Sequence, residues 1–340
     1  MKSIDGIILS CSGKKLNNDE IVFFKETNPF GFVLFSRNFS NKNQIVNLIK
    51  SLKKVTLNQN VLIFIDQEGG RVQRLKNNEF IKFPPQKVFG DIYIKNKELA
   101  LDLAYKSSFL LGFELKQIGI NVNFSPVCDL LFKGAHDVIG DRSFGENPLM
   151  VKELVNTFCE GLNDSGIIPV PKHFPGHGRS IFDTHKNLSI INTRLSDLRK
   201  TDFIPFSILK KSLLVMLAHI IYPSLDTNVA TYSQKILDIL KTEFEFQGLI
   251  LSDDISMKAI NDDLVTKVKK IYDAGCNVVL YCKGSLNEMK RIYPHVKTIN
   301  ANKLSFFNRE HKKMLFKQKK INKFKSDLLE YNLIKNASKS

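Results

Sequence analysis

Eight short apolar runs recur along the chain, at 6–10, 31–35, 61–66, 120–125, 167–173, 213–219, 249–253 and 278–282. Most are near-continuous in Ile, Val, Leu and Phe rather than alternating with polar residues, which predicts strands buried on both faces. Between them lie helix-compatible stretches, among them 43–55, 97–118, 150–165, 195–211, 234–245 and 264–274. Regular strand–helix alternation makes the strands parallel. Eight such units favour an α/β fold of one kind, a closed (β/α)8 barrel of the TIM type, over an open doubly wound sheet. No phosphate-cradling glycine pattern follows any strand, which removes the dinucleotide and P-loop variants. The 340 residues accommodate a barrel of about 250 residues with insertions. With no Pro/Ser-rich linker in sight, the expected organisation is a catalytic barrel over 1–300 and a basic helical C-terminal extension over 301–340.

The charge is uneven. Net charge is +16, and residues 301–340 hold 11 basic and 3 acidic residues, or half the excess. A basic tail can meet nucleic acid or an anionic membrane. Against that, Phe307, Met314, Ile321 and Leu328 recur at sevenfold spacing, which suits one terminal helix packed along a stripe. The chain also carries 41 Lys against 9 Arg, so Lys is its common surface residue, and no nucleic-acid-binding signature is present. No nucleic-acid or membrane partner is therefore expected. No apolar stretch reaches the roughly 18–20 residues of a membrane span. The N-terminal MKSIDGIILSC has too short an apolar run for a signal peptide and reads as a buried first strand, its LSC only faintly like a lipoprotein cleavage site. Cys11, Cys128, Cys159, Cys276 and Cys282 are sparse, odd in number and form no CxxC pair, so neither a disulfide scaffold nor a thiolate zinc knuckle is expected. Free thiols fit a reducing cytoplasm.

Unusual polar segments cluster directly after the apolar runs: DQEGGRVQR after the third, SPVCDL after the fourth, KHFPGHG after the fifth, SDD in the seventh. Barrel enzymes build their sites on that C-terminal face. Asp253 at the end of strand seven points into the mouth as a nucleophile, general base or metal ligand. The alternative is a helix N-cap, a task open to Ser252 or Asp254. Segment 171–187, PKHFPGHGRSIFDTHKN, carries three His, an Asp, a Lys and an Arg. Its prolines and glycines forbid a regular helix, so His173 and His177 do not share a face as zinc ligands do, and a metal site is the weaker reading. Asp183 two residues before His185 lets the carboxylate lock the imidazole and raise its basicity. Of the nine Arg, four (Arg71, Arg74, Arg142 and Arg179) lie in Gly-rich, charged, otherwise unusual segments, where the guanidinium fork offers donors that Lys cannot copy; the bland alternative is loop bracing.

Taken together, DQEGGRVQR (66–74), NFSPVCDL (123–130), GDRSF (140–144), KHFPGHG (172–178), DTH (183–185), AHIIYPSLD (218–226) and GLILSDDIS (248–256) resemble family-3 glycoside hydrolases. The resemblance covers residues 5 to 285 and is nearest to the single-domain bacterial β-N-acetylhexosaminidases of peptidoglycan recycling. It implies Asp253 as the nucleophile, His185 as the acid and then base, and Asp183 as its tuning partner. Asp66, Arg74, Arg142, Lys172 and His173 would bind sugar hydroxyls, leaving His177, Arg179, Arg71, Glu68, Gly69 and Gly70 to shape loops. No metal or cofactor is implied. The expected activity is retaining release of terminal N-acetylglucosamine from a muropeptide by a monomeric enzyme. A phosphorylase, a non-catalytic sugar-binding barrel and a metal-dependent hydrolase are the alternatives.

Overall fold

The computed structural model describes residues 3–58, 60–181 and 188–335. Eight parallel strands form one sheet: β1 (Asp5–Leu9), β2 (Pro29–Leu34), β3 (Leu62–Ile65), β4 (Val122–Asn123), β5 (Ile168–Pro169), β6 (Leu214–Met216), β7 (Leu249–Asp254) and β8 (Val278–Leu280). Their spatial order is β5-β4-β3-β2-β1-β8-β7-β6, so β1 and β8 are neighbours. The two ends of the sheet meet just above their ladders. Phe174 N donates to Met216 O at 2.9 Å, Met216 N to Pro171 O at 3.1 Å, and Ala218 N to Phe174 O at 2.8 Å. These bonds close the ring into the expected (β/α)8 barrel.

The continuous hydrophobicity of the runs now has its reason. Ile8, Phe64, Val122, Ile168, Leu251 and Leu280 belong to the cluster inside the barrel. Their neighbours Ile7, Ile63 and Ile65, Ile250 and Val279 belong to the cluster between strands and helices. Each strand is buried on both faces, so alternation separates two cores rather than core from water. The helices close the outer layer by ordinary amphipathic logic. In α2 (Lys42–Val55), Ile45, Leu48, Ile49 and Leu52 are buried, and Asn41 caps the start by accepting Gln44 N at 2.9 Å. Inside, Phe64 crosses Gly31, where any Cβ would stand 2.3 Å from its ring. Phe64 stacks on Phe124 at 5.3 Å, and Phe30 below it meets Phe307 at 5.3 Å, so an aromatic column runs from the barrel floor to its mouth.

Three expectations are corrected. The run 167–173 is a regular ladder only at Ile168–Pro169; pairing with β4's run continues irregularly through Val170 N to Asn123 O and the bridge Val127–Lys172, while Pro169 and Pro171 have no N–H to give on the β6 side. The stretch 195–211 is not one helix but α6 (Leu195–Lys200) and a 3₁₀ segment Ile204–Lys211, since Pro205 removes the bond an α-helix would make to Thr201. The terminal stripe is divided as well, between α10 (Ala301–Lys313) and α11 (Ile321–Glu330), with 314–320 between them outside any helix. Phe307 on α10 plugs the barrel floor, while Leu328 on α11 is buried against the outer core. Among the described residues no helix is long and apolar enough to cross a membrane. All five cysteines are free thiols.

Candidate active site

The C-terminal ends of the strands open into a cavity of about 480 Å3. Its floor is apolar, formed by Phe124, Met216 and Leu280 at the top of the barrel core. Its walls are charged.

One wall starts at the end of β3. Asp66 follows Ile65 directly, and the chain then turns through a short hairpin, Gln67–Gly69 paired with Val72–Gln73. Two glycines at positive φ, Gly69 (103°) and Gly70 (55°), make that turn. Gln67 holds the hairpin by accepting Arg74 N at 2.8 Å, and Asn123 on β4 pins its base by accepting Gln67 N at 2.9 Å. Asp66 and Glu68 therefore project side by side. Lys172, just past β5, reaches both, with Nζ 2.9 Å from Asp66 Oδ1 and 2.6 Å from Glu68 Oε1. Arg74 donates to the other oxygen of Asp66 at 3.2 Å, and Arg142 donates twice to Glu68, at 2.9 and 3.0 Å. Burial alone would raise both carboxyl pKa values. The cations outweigh it, holding Asp66 far below the usual carboxylate range and Glu68 down to about 2. Lys172 is raised in turn, its burial outweighed by Glu68 and Asp66. The wall is thus a fixed lattice of acceptors and charged donors, suited to hydroxyl groups.

A second wall comes from the loop after β5. His173 Nδ1 lies 2.7 Å from Asp129 Oδ2, and Asp129 Oδ1 accepts the backbone N–H of His177 at 2.7 Å. Burial would lift Asp129, but His173 and that backbone bond keep it low, so the carboxylate sets the imidazole's orientation. Burial and the neighbouring His173 push His177 down to about 4, leaving it neutral at pH 7.

Across the cavity, β7 delivers Asp253, a half-buried pocket-lining carboxylate that accepts Asp254 N at 2.7 Å. Asp254 takes the local turn-holding role, accepting Ser256 N at 3.0 Å and Cys282 N at 3.1 Å. Beneath the turn, the buried Lys267 donates to Ile255 O and Met257 O, both at 2.9 Å. His219 Nε2 sits 3.1 Å from Asp254 O, so donating there it ties β6 to the same turn. Asp253 is left facing the cavity on a rigid base, and its negative charge is felt by His177 and His219.

The structure therefore brings Asp66, Arg74, Arg142, Lys172, His173 and Asp253 around one cavity. Asp183 and His185 lie outside the described residues. The four arginines divide. Arg74 and Arg142 serve the pocket wall. Arg71 braces the loop at Asp137 and Asp141, and Arg179 pairs with Asp202 at 2.9 Å and covers the Phe132 ring. Glu68 is a correction: set aside above as a loop-shaping residue, it is buried in the wall and holds two of the cations. Asp129, within SPVCDL, is a further residue of the wall, since it orients His173 and holds the His177 backbone. For Asp129 the available signal was an acid set among apolar residues, in VCDLLF; Glu68, with Arg71 three residues on, offered none.

The match to known proteins follows this geometry. Residues 7–312 match the model of the glycosyl hydrolase family 3 N terminal domain. A beta-hexosaminidase of Nitrosomonas eutropha is 38% identical over 281 residues, covering 81% of this chain and 80% of that protein. One from Xylella fastidiosa is 34% identical over 285 residues, covering 82% and 84%. Among solved structures, NagZ from Neisseria gonorrhoeae in complex with N-trifluoroacetyl-D-glucosamine superimposes with a TM-score of 0.87 at 29% identity, covering 96% of this chain and 97% of that one. The beta-N-acetylglucosaminidase from Thermotoga maritima gives 0.73 at 27% identity, covering 95% of this chain and 70% of that one.

Proposed function

The chain belongs to glycosyl hydrolase family 3, and from that premise we propose that it is a retaining exo-β-N-acetylglucosaminidase with Asp253 as its nucleophile. The observation that carries this reading is the placement of Asp253 at the end of β7, opposite a wall of ion-paired Asp66, Lys172, Arg74, Glu68 and Arg142. The wall grips the hydroxyls of a terminal sugar and presents its anomeric carbon to the Asp253 carboxylate. The names of the relatives and the N-acyl glucosamine bound to the Neisseria protein favour N-acetylglucosamine as that sugar.

The reaction is a double displacement. Asp253 attacks the anomeric carbon while the His185 imidazolium, oriented by Asp183, gives its proton to the departing oxygen. The glycosyl ester is then opened by water, which loses a proton to His185 as the Asp253 carboxylate departs. Two inversions at one carbon restore its configuration. A His acid suits a residue whose charge must change near neutral pH.

For the natural substrate we propose N-acetylglucosamine linked to anhydro-N-acetylmuramyl peptide, met in the cytoplasm by a monomer. The carboxylates of that aglycone suit a chain of net charge +16. Residues 1–300 act as the catalytic barrel and 301–340 as its extension.

The test is turnover of an aryl β-N-acetylglucosaminide beside the matching β-glucoside, with EDTA, with and without phosphate, and with NMR of the product anomer. Release of the β-anomer of N-acetylglucosamine, unaffected by EDTA and with the glucoside far slower, supports the reading. Sugar 1-phosphate as the product replaces it with a phosphorylase. Binding without turnover of either substrate overturns it.

A further inference from the structure

We propose that the segment joining α10 to α11 is a docking surface for the face of a lipid bilayer rich in anionic phospholipid. Residues 311–325 read HKKMLFKQKKINKFK, with seven lysines and no acidic residue. Lys313, Lys317 and Lys323 are drawn into ion pairs with Glu310, Asp164 and Asp327. Lys312, Lys319, Lys320 and Lys325 enter no ion pair with a carboxylate among the described residues. Amid them Leu315 is 73% exposed and Phe316 39%.

The expectation of no membrane partner rested on a single tail helix with its stripe packed, on Lys being the chain's common surface residue and on the absence of a spanning run. The tail is instead interrupted at 314–320, and an apolar side chain stands in water there. The segment is not loose. The Phe316 ring stacks against Phe113 and lies near Phe109 on α4 (Lys97–Gln117), Lys116 covers it at 4.7 Å, and Lys319 lies over Tyr105. Leu315, next to that anchored ring in the chain, is left exposed between the lysines at 312, 313, 317, 319 and 320.

That combination selects among anionic partners. Lysines on flexible stems reach phosphate headgroups while a leucine enters the acyl boundary. A nucleic-acid backbone would also take lysines, but it gains nothing from an exposed Leu, and the segment lacks the planar Arg forks that favour its recognition. The geometry also leaves the enzyme usable. Phe307 on α10 meets Phe30 at the start of β2, so the segment emerges at the N-terminal end of the strands. The cavity opens at the other end, toward solution.

The experiment is co-sedimentation of the full chain with vesicles of phosphatidylglycerol and phosphatidylcholine in equal parts, against pure phosphatidylcholine. It is repeated with Leu315→Asp, with a patch triple (Lys312→Glu, Lys319→Glu, Lys320→Glu), and with a control triple of equal charge change elsewhere (Lys14→Glu, Lys15→Glu, Lys50→Glu). The chain should partition onto the anionic vesicles and be released by salt. The patch triple should weaken partitioning by roughly 100-fold, from about a fivefold effect per lysine, and the control triple by far less. Leu315→Asp should weaken it with turnover of an aryl glycoside unchanged, which separates docking from folding and from the sugar site. Equal losses in the two triples, or no preference for anionic vesicles, overturn the proposal. So does a single-stranded RNA oligonucleotide whose binding the patch triple abolishes while vesicles bind nothing.

Discussion

Glu68 holds Arg142 by a two-pronged bond, Oε2 at 2.9 Å from Nε and Oε1 at 3.0 Å from Nη2, across 74 residues of chain. The same carboxylate meets Lys172 at 2.6 Å, so two buried cations depend on it. Glu68→Gln should therefore cost about 3–5 kcal/mol of stability, the toll of leaving buried charges uncompensated. The loss is read by urea unfolding at pH 7. Its pH dependence has a definite sign. With the carboxyl held near pH 2 rather than at its ordinary 4.5, the interaction is present in full above about pH 4.5 and lost as pH falls toward 2. The variant's stability should converge with that of the parent in acid. A variant as stable as the parent at pH 7 would contradict this assignment.

His185 is expected to act on the leaving group rather than on the sugar. His185→Ala should slow aryl glycosides with acidic phenols about tenfold or less, and alkyl or disaccharide glycosides by about 10²–10⁴. Aryl leaving groups depart with little protonation, whereas sugar alcohols do not. A plot of log kcat/KM against leaving-group pKa is the measurement, and the variant should give the steeper line. Equal losses across the series would remove His185 from the acid role.

The elements that were legible share a reason. Strands buried on both faces announce themselves as unbroken apolar runs, and the chemistry-bearing residues follow them directly, as Asp66 follows Ile65 and Asp253 follows Ser252. The interactions that escaped notice are long-range. Asp129 and His173 lie 44 residues apart, and Glu68 and Arg142 lie 74 apart. These pairs form because barrel closure brings successive loops to one mouth, a relation absent from local spacing. Glu68 was hidden further by its setting, since EGG advertises a turn and the turn is real. The tail misled in the opposite way. Sevenfold spacing of Phe307, Met314, Ile321 and Leu328 is met by two helices on two different cores, and the interval between them is not helical.

Glu114 offers a stability effect of opposite sign. It lies on α4, accepts Ile81 N at 3.1 Å, and burial pushes its carboxyl up to about 7, against the opposing pull of Lys42 and Lys325. The folded state keeps this proton to higher pH than the unfolded chain does, so stability is greatest below pH 4.5 and falls as pH rises through 7. Glu114→Gln keeps an acceptor for Ile81 and removes the charge. It should gain about 2–3 kcal/mol at pH 8 and almost nothing at pH 4. Urea unfolding at the two pH values checks this; a gain that does not depend on pH would refute it.

Phe307 tests whether the C-terminal extension belongs to the barrel's core. It is buried in the inner cluster, against Phe30. Phe307→Ala should cost about 3–5 kcal/mol. The cavity lies at the far end of the strands, so KM for an aryl glycoside below the unfolding temperature should be unchanged. A mild loss, under about 1 kcal/mol, would make the extension an appendage instead.

The central claim is that Asp253 forms a bond to the sugar. The most direct measurement is peptide mapping by mass spectrometry after reaction with a fluorinated N-acetylglucosaminyl donor carrying an activated leaving group, which slows release of the intermediate more than its formation. The account predicts one added glycosyl mass on the peptide containing Asp253, absent from Asp253→Asn and lost as activity returns. A turning-over enzyme with no adduct, or with the adduct on another carboxylate such as Asp66, would contradict it.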